Sequence, residues 1–321
     1  MSQIDQLRPK ISIIGCGGVG MRYAYALIMK GLARQLVLVD KDKNRLEGEV
    51  MDLSHGAPYI SPVEIIAGEY SDLAGSDLVV ITAGRKQQPG ESRIDLVSAN
   101  VGLYKAIIPE VVKYAPDAII LVVSNPVDIL SYAAFKFSGK PAHEVIGSGT
   151  VLDTARFRFL LSRHCNIDPH NVHAYILGEH GDSEIAVWSK AMIGGVYFSD
   201  YCLICEKRRA CRGEKEFDEI LSEVRNSAYK IIEKKGETSY GIGLALVRIT
   251  RAIINNENAV LPVSTLIQDY LGVGDVYLSV PSILNRAGVR AVLRLELNSK
   301  EREEFKKSAE TVKSVIKQAG L

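Results

Sequence analysis

Short apolar runs punctuate the first half of the chain, spaced so that a helix fits between most of them. Residues 11–14, 36–39, 63–67, 78–82, 118–123 and 145–146 are rich in Ile, Val and Leu. Continuous β-rich runs of this length suit strands covered on both faces, and therefore a parallel sheet; a half-exposed strand would alternate apolar and polar positions. Residues 19–30 and 96–114 read as helices between such strands. Repeated strand–helix–strand units predict a doubly wound α/β sheet.

The pattern changes near Ser148. Residues 151–165 read as a helix, 172–177 as a strand, and 214–235 and 239–255 as two long helices, followed by short strands with Pro and Gly turns. Asn298, with Glu301 three residues on, predicts the capped start of a last helix, whose buried stripe is Phe305, Ala309, Val312, Ile316 and Ala319. Nothing between the halves has the composition of a tether. The expected division is residues 1–148 and residues 149–321, the second an α+β unit; 321 residues exceed what one compact core usually holds.

Composition narrows the partners. With 39 basic and 38 acidic residues the net charge is +1, which gives no reason to expect nucleic acid or an anionic membrane. Residues 1–9 lack the apolar core of a secretory leader, and no apolar run is long enough to span a bilayer. The five cysteines are odd in number and scattered, which fits reduced thiols in the cytoplasm. Cys202, Cys205 and Cys211 form a C-x2-C-x5-C cluster. Apart from His164 and Cys165 elsewhere in the chain no fourth ligand is at hand, so loop thiols are expected there and no metal site.

The first chemical motif is Gly15-Cys16-Gly17-Gly18-Val19-Gly20, a G-x-G-x-x-G placed directly after a strand and opening a helix. Gly15 permits the tight turn, Gly17 lets the backbone approach a pyrophosphate, and Gly20 lets helix pack close on sheet. Glycines also serve plain turns, but Asp40 ends the second strand twenty residues after Gly20. A carboxylate there accepts from ribose hydroxyls and repels a 2′-phosphate, so NAD is expected rather than NADP. The order strand, glycine loop, helix, strand, Asp predicts a Rossmann-type NAD-binding domain.

Three further segments carry candidate chemistry. Taken alone, His180 in Gly178-Glu179-His180-Gly181-Asp182-Ser183 reads as a surface histidine. Asp153 and Arg156 share a helix face and read as a local ion pair. The polar stretch from Thr82 to Arg93 reads as a solvated connection. In their order along the chain, with Ser124-Asn125-Pro126 between them, they resemble the lactate/malate dehydrogenase family over nearly the whole length. The resemblance implies hydride transfer between NADH and a small 2-oxo acid. It gives His180 the role of proton donor, Asp153 that of orienting its imidazole, Arg156 that of a fork on the substrate carboxylate, and Arg93 that of polarising the carbonyl from a closing loop. Asn125 and Asp128 are implied on the substrate side, with Asn125–Pro126 a cis bond. Val19, Arg45, Tyr70, Thr82, Ala83, Gly84, Val123, Ser124 and Thr150 are implied around the NAD, beside Gly15, Gly17, Gly20, Asp40 and Asn125.

Within the family, the position held by Gln87 separates the substrates. Malate-type members carry arginine there for a second carboxylate; neutral Gln87, and Thr238 as a limit on pocket size, match the bacterial lactate-type pattern, with pyruvate and lactate as substrates. Arg158 and His173 match positions that bind fructose 1,6-bisphosphate in allosteric bacterial members, which implies an effector and a homotetramer. The alternatives are a malate or longer-chain 2-hydroxy-acid dehydrogenase and, from another class, a non-catalytic dinucleotide-binding protein. Only the last has no use for His180, Asp153, Arg156 and Arg93.

Overall fold

A computed structural model describes residues 9–85, 93–204 and 214–321. Its frame is one nine-stranded sheet. The first half contributes β1 (Lys10–Ile14), α1 (Gly18–Met29), β2 (Gln35–Val39), α2 (Lys43–His55), β3 (Glu64–Ala67), β4 (Leu78–Ile81), α3 (Arg93–Tyr114), β5 (Ile119–Val122), α4 (Val127–Ser138) and β6 (Val145–Gly147). These six strands are parallel and lie in the order β3-β2-β1-β4-β5-β6, so the direction of winding reverses beside β1. β4 and β5 are buried at every position, as their unbroken apolar sequences require.

The second half begins with α5 (Val151–Cys165), followed by the two-residue strands β7 (Val172–His173), β8 (Ile176–Leu177), β9 (Ile185–Ala186), β10 (Met192–Ile193) and β11 (Val196–Tyr197). Helices α6 (Phe198–Ile204), α7 (Glu214–Lys235) and α8 (Tyr240–Ile254) come next, then β12 (Ala259–Ile267), β13 (Val276–Asn285), β14 (Gly288–Val292) and α9 (Ser299–Gln318). β12, β13 and β14 run antiparallel to one another and join the first six strands where Ser264 pairs with Gly147.

Three sequence expectations need correction. Residues 172–177 are not one strand: β7 pairs with β10 and β8 with β9, so the chain changes sheets between them. The strands after α8 are long, not short, although each of β12 and β13 contains a proline. Pro262 and Pro281 stand opposite each other, so the two positions that cannot donate are aligned, and their carbonyls accept from Thr150 and Leu293 instead. Residues 63–67 are not covered on both faces: β3 is an edge strand with Glu64 and Ala67 exposed and Ile65 and Ile66 half-buried; helices α2 and α4, for their part, were not singled out from the sequence. By contrast, the α9 cap is present: Asn298 and Glu301 each accept the other's amide, at 2.9 and 3.1 Å.

Apolar clusters cover both faces of the sheet. A smaller third one lies under α5 and α7, where Trp188 stacks on Phe217 at 4.6 Å and meets Phe157 edge-on at 4.9 Å. Across the seam, α1 packs on α8 through the Tyr23 and Thr250 hydroxyls, both fully buried and 2.7 Å apart. No helix among the described residues is long and apolar enough to cross a membrane. Thr250→Val is expected to strand the Tyr23 hydroxyl and cost about 1–3 kcal/mol. Adding Tyr23→Phe should recover most of that loss in denaturant unfolding; an additive double variant would show that the pair is not coupled.

Candidate active site

The connections after β1, β4 and β5 converge on one rim of the sheet. The Thr82 and Ala83 amides both donate to the Ile14 carbonyl at 2.9 Å, the Thr82 hydroxyl donates to the Gly15 carbonyl, and the Ser124 hydroxyl donates to the Ala83 carbonyl at 2.6 Å. Buried Asn100 ties Arg85 to Asn125: its oxygen accepts the Arg85 amide at 2.8 Å and its amide donates to the Asn125 carbonyl at 3.1 Å. The Asn125–Pro126 bond is cis.

The glycines are required by space. Gly15 has φ +99°, and a methyl group on it would overlap the Ala83 backbone; one on Gly20 would overlap the Gly15 carbonyl, whereas Gly17 faces open space. Asp40, just past β2, accepts the Cys16 amide at 2.6 Å and the Asp42 amide at 3.0 Å, which turns its carboxylate toward the glycine loop. An open glycine cradle with an acid beside it fits a dinucleotide. Gly84, Val123 and Ser124 follow β4 and β5 at the same rim, Val19 lies in the first turn of α1, Tyr70 follows β3, and exposed Arg45 opens α2, ion-paired with Glu49 at 3.3 Å. Thr150 is buried just before α5 and accepts no solvent; its hydroxyl donates to the Ile176 carbonyl at 2.5 Å.

Next to this rim, α5 presents Asp153 in its first turn with Arg156 one turn on. Asp153 is 3% exposed. One oxygen accepts from Arg156 Nη1 at 2.8 Å and the other from His180 Nδ1 at 2.6 Å. The His180 segment is held by backbone contacts as well: its amide donates at 2.7 Å to Asp128, which also accepts the Ser264 hydroxyl at 2.6 Å. The Glu179 amide donates to Ser308 at 2.8 Å. Asp128 is thus 1% exposed and committed to positioning the loop.

These contacts shift the titrations. Burial pushes Asp153 up, but the His180 and Arg156 charges outweigh it and hold the carboxyl below its usual range. Burial depresses His180, yet the Asp153 charge and hydrogen bond lift it to about 9. Burial pushes Asp128 up to about 7. Glu184, which the sequence reading missed, is 2% exposed, and burial together with the Asp153 charge pushes it up to about 8. One carboxylate oxygen each of Glu184 and Asp153 and a ring nitrogen of His180 lie within 4.8 Å of one another. Arg156 already compensates Asp153, so the charge at this trio does not call for a metal. A lone Glu at the end of a polar turn carries no signature of such burial; only the fold brings it there.

Thr238 is half-buried in the connection from α7 to α8. Arg158 and His173 line a cleft of about 600 Å³ with Tyr175, Leu244 and Arg248. Gln87 and the Arg93 side chain lie outside the described residues, as do Cys205 and Cys211; Cys16 and Cys165 are buried and Cys202 is half-buried, and His164 pairs with Glu216 at 3.0 Å.

A glycine cradle beside a buried His–Asp–Arg constellation defines an NAD-dependent oxidoreductase. Models of the lactate/malate dehydrogenase NAD binding domain and of the lactate/malate dehydrogenase alpha/beta C-terminal domain match residues 9–147 and 150–320, and the chain belongs to the lactate/malate dehydrogenase family. It is 52% identical over 313 residues to an L-lactate dehydrogenase of Thermoanaerobacter pseudethanolicus, covering 97% of this chain and 99% of the relative. To L-lactate dehydrogenase 1 of Clostridium acetobutylicum it is 51% identical over 308 residues, covering 96% and 97%. Among solved structures it is similar to a lactate dehydrogenase from a Medee basin deep-sea metagenome library, with a TM-score of 0.94 at 43% identity over 98% of this chain and 99% of the other. It is also similar to a minor L-lactate dehydrogenase from Enterococcus mundtii, with a TM-score of 0.93 at 41% identity over 97% and 98%.

His180 has a direct pH consequence. The folded chain keeps the imidazole proton up to about 9, while an unfolded chain releases it near about 6.5. The stabilisation is therefore complete below the lower pH and is lost as pH rises through the upper one. In Asp153→Asn the largest upward influence is gone and only the weaker pulls of Glu184 and Asp128 still oppose burial, so an NMR titration should find His180 well below its value in the unaltered chain. An unchanged value would assign the upward shift to another group.

Proposed function

We propose that this chain is an L-lactate dehydrogenase, interconverting pyruvate and (S)-lactate. The observation that carries the reading is the buried Asp153 carboxylate shared between His180 and Arg156, because a 2-oxo acid needs a proton donor and a carboxylate clamp side by side. The names of the relatives at 52% and 51% identity support it.

Bound NADH supplies the hydride. With Nδ1 held by Asp153, the proton that His180 delivers to the substrate oxygen leaves from Nε2. The imidazole is cationic at neutral pH and becomes neutral as pyruvate is reduced; Asp153 stabilises the charged form and fixes the ring. Arg156 offers the substrate carboxylate a planar fork. Arg93, at the start of α3, polarises the carbonyl, Asn125 and Thr238 bound the pocket, and Asp128 sets the His180 backbone. A four-chain assembly and a place in the cytoplasm, returning NAD at the fermentative end of glycolysis, go with this reading.

Gln87 decides between substrates. A second carboxylate enclosed beside a neutral amide costs several kcal/mol, and a methyl group does not. NADH oxidation should therefore be fast with pyruvate and much slower with oxaloacetate or a branched 2-oxo acid. Gln87→Arg should move kcat/KM up for oxaloacetate and down for pyruvate. Preference for oxaloacetate in the unaltered chain would replace this reading with malate dehydrogenase, and no turnover of any of the three would leave a binding protein.

The Arg158–His173 cleft supports regulation by fructose 1,6-bisphosphate. Arg248, itself ion-paired with Glu257 at 2.7 Å, shares the same lining, and a bisphosphate would draw together the basic groups that meet there at a subunit interface. The effector is expected to lower the KM for pyruvate in the unaltered protein and to leave an Arg158→Gln, His173→Ala variant at its basal rate. No response at millimolar effector would reduce the pair to surface charge.

A further inference from the structure

One contact at the phosphate cradle is made by a residue outside the glycine fingerprint. Helix α1 starts after Gly17 with no side-chain cap and no acidic residue in its first turn. Its positive end is met instead from the connection between α7 and α8. The carboxylate of Glu237 lies against Gly18, so closely that a methyl group on that glycine would overlap it. Two contacts define its placement: the Ser239 hydroxyl donates to Oε1 at 3.0 Å, and Arg22 Nη2, one turn further along α1, stands 3.9 Å from the same oxygen. Arg22 is in turn drawn over the Tyr240 ring at 5.5 Å.

The chain thus places an anionic group against Gly18, beside a glycine loop whose open part fits an anionic ligand. A carboxylate at a helix N-terminus gains from the same N–H groups and dipole that attract a phosphate. Two anions at that end repel each other, and the space against Gly18 holds one of them. Arg22 provides a second position for the displaced carboxylate.

We propose that Glu237 is a built-in competitor for the diphosphate of the dinucleotide, seated at the α1 N-terminus until the cofactor displaces it toward Arg22, and that it thereby sets cofactor affinity. The proposal rests on NAD binding at the glycine loop. It does not depend on which 2-oxo acid is reduced.

The test is equilibrium binding to the full chain, unaltered and as Glu237→Gln, with NADH followed by fluorescence and with ADP and adenosine by calorimetry. Thermal midpoints of both proteins serve as a check on folding, and Glu237→Ala provides a second variant should the amide retain the contact. NADH and ADP, which carry the diphosphate, should bind about two- to fivefold more tightly once the charge is gone, with the gain shrinking at high salt. Adenosine, which ends before the cradle, should bind equally to both. Unchanged or weaker NADH binding in both variants overturns the proposal, as does an equal gain for adenosine. Failure of the unaltered chain to bind NADH at all would overturn the dinucleotide reading along with it.

Discussion

The site depends on one buried carboxylate. Asp153 is almost wholly removed from water, and an isolated charge in that position would be too costly to keep. It is tolerated because three favourable influences converge on it: Arg156 on the same helix face, His180 from the loop before β9, and the N-terminal end of α5 itself. The same arrangement fixes the histidine tautomer and raises its affinity for the proton. Stability and chemistry are thus joined at one residue, and the loop carrying His180 is in turn held by Asp128 from α4 and Ser308 from α9.

The elements that repeat a short physical rule were legible from the chain alone. Buried strands betrayed themselves by unbroken apolar runs, the glycine loop by its position between strand and helix, and α9 by its cap. The candidate residues Asp153, Arg156 and His180 could be named, but their meeting rests on a tertiary contact spanning 27 residues, which periodicity does not encode. What escaped was whatever depends on partners distant in sequence. Asp128 is named only through the resemblance and for the substrate side, and its hold on the His180 backbone emerges only when the fold brings the two together; Glu184 reads as a turn residue until α7 covers it. The switch of sheets within residues 172–177 leaves no mark because β7 and β8 are each only two residues long.

Charge is rationed at the cofactor rim. Asp40 is engaged by two backbone amides, so the backbone sets its orientation. Glu237, by contrast, is held by a hydroxyl and a long ion pair, contacts weak enough to be exchanged. The first acid is fixed by the backbone and the second is loosely held, although both lie beside the same loop.

The continuity of the sheet constrains how such an enzyme breathes. Two lobes joined by a linker can clap shut on a substrate by rotating as bodies. Here β6 passes the sheet to β12 through Ser264 and Gly147, and the buried Tyr23–Thr250 contact bolts α1 to α8 on the flank. Rotation about that seam would tear backbone pairing and expose fully buried hydroxyls. The two halves therefore behave as a single anvil, and the residues gathered at its rim keep their spacing because the frame beneath them has no hinge at the seam.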